Sequence, residues 1–289
     1  MRILVTGASS PLAVGVLRQL LLNSDPTWNL ELWCGRHRKD IPIEDPRLHV
    51  IDLDLESELS GTLSRTAFDM VIHFAGLTHT SDEQQYWAIN VGGTVRLAEA
   101  ARKNGCRRFV YISTRCATPG SGAYGESKLR AEKELQKLQW QSLLIIRPAE
   151  IYGSEGKEGI DRMLTMARKW RIIPALFGHS NLQFAPLHSD DFSKLAAELI
   201  QQHPGGVSIE TVCGPEDLSG IELAQRISKR YFAIPLLLWW PAVAGCLKAL
   251  HKIGFEIVKP DQVARLTCEK TGTAKSGNNR KGLRRFLAN

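Results

Sequence analysis

Arg2-Ile3-Leu4-Val5-Thr6-Gly7-Ala8-Ser9-Ser10-Pro11-Leu12-Ala13 is the stretch that decides the fold. An unbroken β-branched and aliphatic run reads as a buried strand. Gly7 ends it in a tight turn, Ser10 is a good N-cap, and Pro11 suits the first helical position. An apolar helix then follows over residues 11–22. A strand–turn–helix of this kind aims backbone N–H groups and a helix N-terminus at one point, which suits an anion. In a dinucleotide fold that anion is the pyrophosphate, and Gly7, Ser9, Ser10, Pro11 and Leu12 are the candidate contacts. Of the three glycines expected in such a turn only Gly7 is present; Ser10 and Ala13 stand at the other two places.

Working outward, further strand candidates are residues 30–34, 48–52, 69–75, 108–113 and 142–147, and helical patterns fill 57–65, 84–103 and 127–139. Strands that alternate with helices call for a parallel sheet covered on both faces, and their near-continuous apolar runs agree with that. The expected class is α/β, a Rossmann-type doubly wound parallel sheet with a smaller C-terminal substrate lobe. The expected division is a dinucleotide-binding domain over 1–150 and a substrate lobe over 151–289. A segment of about 185–213 is expected to return to the first domain, with residues 207–212 as a further strand.

The end of the second strand bears on cofactor choice. A carboxylate there would hold the ribose 2′-hydroxyl of NAD. Trp33-Cys34-Gly35-Arg36-His37-Arg38 has no carboxylate and two guanidinium groups. Arg36 and Arg38 match a 2′-phosphate in charge and fork geometry, so NADP is the expected cofactor and NAD the alternative.

Tyr124-Gly125-Glu126-Ser127-Lys128 opens a Lys-, Glu- and Leu-rich helix. Tyr and Lys four apart share one helical face, and an ammonium nearby favours the phenolate. That pair can act as acid and base in an alcohol–ketone interconversion. Ten residues before Tyr124, Ser113-Thr114 ends a strand where a hydroxyl can face the cofactor cleft.

These residues, with others in the same order, resemble the extended short-chain dehydrogenase/reductases, the NAD(P)-dependent epimerase/dehydratase type. The resemblance is carried by Thr6-Gly7, Asp52-Leu53, His73-Phe74-Ala75-Gly76, Asn90-Val91-x-Gly93-Thr94 and Ser113-Thr114. It continues through Tyr124-x-x-x-Lys128, Arg147-Pro148 with Ile151-Tyr152-Gly153, Leu187-His188-Ser189-Asp190-Asp191 and Gly282-Leu283. It implies Tyr124 as acid/base, Lys128 as pKa modulator and ribose ligand, and Thr114 as the hydroxyl that orients the substrate oxygen. It further implies Asp52 and Leu53 near the adenine, and Phe74, Ala75 and Gly76 along the pyrophosphate and ribose path. Pro148 would neighbour the nicotinamide. Asn90, His73 and Arg147 read as structural or cofactor-side, and Asp190-Asp191 as a helix start. The implied chemistry is oxidoreductase or epimerase hydride transfer on an activated sugar, with a sugar nucleotide as substrate.

There are departures from the family pattern. The Thr114–Tyr124 interval is short. Gln183 and Phe184 stand where relatives acting on nucleoside-diphosphate sugars carry an arginine, and Arg168 and Arg171 are the candidate substitutes. A non-catalytic dinucleotide-binding or redox-sensing protein is the rival reading. An enzyme acting on a lipid-linked or other hydrophobic alcohol or ketone is a further alternative.

Composition sets the remaining expectations. The net charge is +7, and residues 259–289 hold eight Lys or Arg against two acids. Phe286 is the one aromatic residue there, with no series interleaved for base stacking, so nucleic acid is not an expected partner. The six cysteines show no metal or disulfide spacing, and the chain starts directly in a strand; a cytoplasmic protein with no metal site is expected. Residues 231–247 carry no charge, but Pro235 and Pro241 interrupt them, so no transmembrane span is expected. Core or lobe packing is the first expectation for this stretch. A lipid surface, a lipid-linked substrate or a second subunit in a homodimer is the other.

Overall fold

A computed structural model of the chain describes residues 1–36, 40–55, 66–80, 82–154, 159–252, 260–274 and 283–287. In chain order the elements are β1 (Arg2–Thr6), α1 (Pro11–Asn23), β2 (Glu31–Arg36), β3 (Leu48–Asp52), β4 (Met70–His73), α2 (Thr94–Lys103), β5 (Arg108–Ile112), α3 (Gly122–Lys137) and β6 (Ser142–Pro148). Then come β7 (Ile151–Tyr152), α4 (Gly159–Trp170), β8 (Ile172–Phe177), β9 (Gln183–Phe184), β10 (Leu187–His188), α5 (Ser189–Gln202) and β11 (Gly206–Val212). The last are β12 (Leu218–Ser219), α6 (Gly220–Tyr231), β13 (Ile234–Trp239), α7 (Trp240–Lys252) and α8 (Pro260–Thr267). The helix expected over 57–65, and Arg38, lie outside the described residues.

The chain forms two compact units. The first comprises Met1–Thr114, Glu126–Arg147 and Phe192–Glu210; the second comprises Arg115–Gly125, Pro148–Asp191 and Thr211–Asn289. The main sheet has the order β11-β6-β5-β4-β1-β2-β3, and the pairs from β6 through β3 run parallel. This is the doubly wound α/β class. The strand order reverses between β1 and β4, so a crevice opens at their carboxyl ends, where such sheets bind ligands. Ile3, Leu4 and Val5 of β1 and Val71 and Ile72 of β4 are inaccessible to solvent, because a central strand is covered on both faces.

Local chemistry explains the helices. The Ser10 hydroxyl accepts from Ala13 N, Pro11 follows, and α1 buries Ala13, Val14, Val16, Leu17 and Leu20 along one stripe. α2 buries Thr94, Leu97, Ala98 and Ala101 at helical spacing. The segment before it, Tyr86–Gly93, has π-helical pitch, a wider turn that the sequence pattern did not reveal. α3 starts at Gly122, five residues earlier than the expected start at 127, so Tyr124 is already in its first turn.

The second unit is built on small pairs: β7 with β10, β9 with β12, and β8 with β13. Its core gathers Tyr152, Ile160, Leu164, Leu223, Ile227 and Phe286. Ser219 and Glu222 close a capping box that starts α6. The apolar stretch over 231–247 meets the core-packing expectation only in part: Ala233 and Trp240 are buried, whereas Ile234, Leu236, Leu237 and Trp239 of β13 are exposed. Among the described residues no helix is long and apolar enough to cross a membrane.

Candidate active site

The dinucleotide end is held together by close backbone approach in the first unit. Gly7 has φ +67°, and a Cβ there would meet Ala75 N at 2.6 Å and the Phe74 carbonyl carbon at 2.9 Å. Only glycine allows both the turn and that approach. The Phe74 amide donates to Thr6 O at 3.0 Å, and Ser10 N to Gly7 O at 3.0 Å. The strand β1 turn and the end of β4 thus form one backbone cradle, with α1 pointing its N-terminus into it. That is a fit for a pyrophosphate, even with a single glycine of the expected three.

Asp52 ends β3 and stands in register opposite Arg36 at the end of β2. Leu53 is buried against Gly35, where a Cβ would come within 2.9 Å of the Leu53 side chain.

Around Gly76 the geometry is set by Asn90. Its side-chain oxygen accepts from Leu77 N at 2.7 Å, and its amide donates to Leu77 O at 3.0 Å and Ser127 Oγ at 3.1 Å. The π-helical segment therefore fixes the loop after β4, as a structural role for Asn90 requires. His73 is structural in the same way. Thr94 spends its hydroxyl proton on Asn90 O at 2.7 Å, so it can only accept from His73 Nε2 at 2.9 Å. His73 Nδ1 then accepts from the Thr6 hydroxyl at 2.5 Å. Burial pushes this imidazole down to about 3, so it is neutral.

Lys128 lies buried in α3. Its Nζ donates to Ile112 O at 2.7 Å and sits 4.2 Å from the centre of the Tyr111 ring. A Cβ on Gly76 would be 3.6 Å from this nitrogen, so the ammonium faces the loop that the ribose path was assigned to. Burial pushes Lys128 down to about 7, against the opposing pull of Glu132. Glu132 is itself engaged: it accepts from Ser113 Oγ and from Arg147 Nε at 2.9 Å. Ser113 and Arg147 thereby lock the ends of β5 and β6 to α3, which makes Arg147 structural.

Tyr124 shares the continuous helix α3 with Lys128, one turn nearer its start. In the second unit its backbone N–H donates to Asp261 Oδ1 at 2.8 Å, and the Arg265 guanidinium lies 4.0 Å from its ring centre. Asp261 and Arg265 pair with each other across one turn of α8. Gly122, at φ +80°, leaves room for Asp261 at a distance of 2.8 Å from a would-be Cβ. This support from α8 was missed by sequence reasoning. The only local signal is an Asp and an Arg four residues apart, too common to single out.

Thr114 follows β5 and is half-buried; Pro148 ends β6, and its carbonyl accepts from Arg115 N at 3.0 Å.

Arg115 was also missed. It is buried, with Nη2 3.0 Å from Glu150 and 2.7 Å from Gln183 O. Its neighbour Lys270 donates to Asn181 O at 3.0 Å, Gln183 O at 3.1 Å and Leu266 O at 3.0 Å. Together with Asn181, Gln183, Glu216 and Asp217 these two cations line a cavity of about 950 Å³ inside the second unit. Neither Arg168 nor Arg171 lines it. Arg168 lies 5.4 Å from the Tyr231 ring centre, and Arg171 bonds the Tyr231 carbonyl.

A doubly wound sheet with a glycine cradle at its switch point and a buried lysine on the following helix defines a dinucleotide-binding enzyme. The chain belongs to the NAD dependent epimerase/dehydratase family, whose model matches residues 3–211. It is 26% identical over 297 aligned positions to a UDP-glucose 4-epimerase of Vibrio cholerae, spanning 92% of this chain and 85% of that one. In fold it matches DesIV, the dTDP-glucose 4,6-dehydratase of Streptomyces venezuelae solved with NAD and TYD, at TM-score 0.70 and 20% identity over 92% of this chain and 96% of that one. It also matches the UDP-glucose 4-epimerase of Thermotoga maritima solved with UDP-glucose, at TM-score 0.68 and 18% identity over 92% and 97% of the two chains. The protein is an NAD(P)-dependent enzyme of the epimerase/dehydratase type.

Proposed function

We propose that the protein transfers a hydride at a hydroxyl/keto carbon of a nucleoside-diphosphate sugar, with NADP as preferred cofactor, in the cytoplasm. The observation that carries this reading is α3, which bears Tyr124 and, one turn on, a buried Lys128 whose nitrogen approaches Gly76. The bound nicotinamide supplies the hydride acceptor or donor. Tyr124 moves the proton of the reacting hydroxyl, Thr114 orients that oxygen, and Lys128 favours the phenolate and holds the ribose. Gly7, Ser9, Ser10, Pro11 and Leu12 cradle the pyrophosphate; Asp52 and Leu53 flank the adenine; Phe74, Ala75, Gly76 and Pro148 line the rest of the path. Arg36 and Arg38 take the 2′-phosphate. All six cysteines are free thiols, in keeping with a reducing compartment.

The test is incubation with UDP- and dTDP-hexoses and either cofactor, following the product by NMR and cofactor affinity by calorimetry. Expected are a changed hydroxyl or keto centre on the sugar and NADPH binding about tenfold to a hundredfold tighter than NADH, the worth of one charge-assisted arginine–phosphate contact. Equal or tighter NADH binding removes the NADP preference. No product from any sugar nucleotide removes the substrate class.

A further inference from the structure

In the second unit β13 pairs with β8 in parallel register, from Ile234 opposite Ile172 to Trp239 opposite Phe177. A strand of this composition belongs in a core, yet Leu237 is 66% and Trp239 55% exposed. At the end where both strands begin, Trp170 is 65% and Phe232 86% exposed. Phe232 is held out by the left-handed cap of α6, at φ +52°. Two large aromatics and an aliphatic strand thus form one uncovered apolar patch.

Basic residues gather at the helix ends beside it. Residues 162–189 contain four Lys or Arg and no acid, and residues 223–252 contain five and no acid. Arg168 and Lys169 occupy the last turn of α4, and Lys229 and Arg230 the last turn of α6. Arg168 and Arg230 both stack on Tyr231, at 5.4 and 5.8 Å, and Arg171 bonds its carbonyl. The cations are therefore tied to the corner from which Trp170 and Phe232 project. A second copy of the chain docked here two-fold would bring two such cationic rims together, which is repulsive. Anionic headgroups complement the rim, and interfacial Trp and Phe suit the boundary between headgroup and acyl chain.

We propose that this patch docks the enzyme on an anionic lipid surface, inserting Trp170, Phe232 and Leu237 into one leaflet while Lys169 and Lys229 meet lipid phosphates. The contact is peripheral: α7 has 13 residues and β13 six, too short to span.

The experiment is flotation of the full-length protein with phosphatidylglycerol-containing vesicles and with pure phosphatidylcholine vesicles. Binding to the anionic vesicles is expected at low salt, weakening as salt shortens the screening length, with none to the neutral vesicles. Lys169→Gln with Lys229→Gln lowers partitioning roughly 25-fold, at about fivefold per charge. Phe232→Ser or Leu237→Ser lowers it about tenfold. All these side chains are exposed, so unchanged melting temperatures accompany the loss. No binding to anionic vesicles overturns the proposal. Equal binding by wild type and patch variants overturns it too, since it assigns the attraction to the basic residues of 259–289. A wild-type dimer that Phe232→Ser dissociates in sedimentation assigns the patch to a second copy instead.

Discussion

Lys128 is buried, with its Nζ donating to Ile112 O, so its charged form is disfavoured and its pKa sits at about 7 in the unliganded protein. The unfolded chain binds that proton up to about pH 10. Between those values the unfolded state carries more protons, so this residue's contribution to stability rises with pH and its cost is greatest below pH 7. Lys128→Met is therefore expected to raise the unliganded melting temperature more at pH 6 than at pH 9. In the proposed role of Lys128 as ribose ligand, contact with the ribose oxygens would favour the ammonium again. Dinucleotide binding at pH 8 is expected to take up close to one proton, as calorimetry in buffers of different ionisation enthalpy reads it. The uptake should shrink toward pH 6 and vanish in Lys128→Met; an uptake unchanged in that variant would show that another group titrates.

At Tyr124 the ring is held by Arg265 and the backbone by Asp261, so Tyr124→Phe keeps its packing and removes the transferable proton. Turnover should fall about 10²–10⁴-fold with cofactor affinity unchanged. Near wild-type turnover on a verified sugar nucleotide would remove Tyr124 from the assigned role.

At the scale of elements, β4 is pinned to β1 and to α2 through one neutral imidazole. His73 bridges Thr6 and Thr94, and Thr94 in turn bonds Asn90 O, which fixes the π-helical turn. The folded pKa of about 3 lies below the ordinary 6.5. Over that interval the unfolded chain binds the extra proton, so stability is retained above pH 6.5 and lost as pH falls toward 3. The loss amounts to about 2 kcal/mol at pH 5. Urea unfolding at pH 7 and pH 5 should show wild type losing that much more than His73→Gln; equal losses would mean the bridge does not depend on a neutral ring. The same elements show what periodicity can and cannot reveal. Residues 84–103 repeat their apolar positions at helical spacing, which identified the helix, but that spacing carried no sign of the wider turn over Tyr86–Gly93, the segment whose Asn90 bonds Leu77. In the first turn of α3 the Tyr124 N–H bonds Asp261, which lies 137 residues further on.

For the whole molecule, the sequence alone determined the alternation of strand and helix, because buried parallel strands need unbroken apolar runs and helices need a 3.6-residue stripe. It determined the β1 turn at Gly7 and the order of motifs that mark the family. Tertiary structure decided the rest. Arg115 is an ordinary residue after Thr114 until Glu150 and Gln183 are folded against it. Lys270 reads as one charge of a basic tail until three carbonyls gather around it. Residues 231–247 read as core because hydrophobicity records what a side chain prefers, while exposure depends on whether another element arrives to cover it. Local pattern is written in neighbours along the chain; burial, pairing and charge environment are set by neighbours in space, which no single stretch of sequence contains.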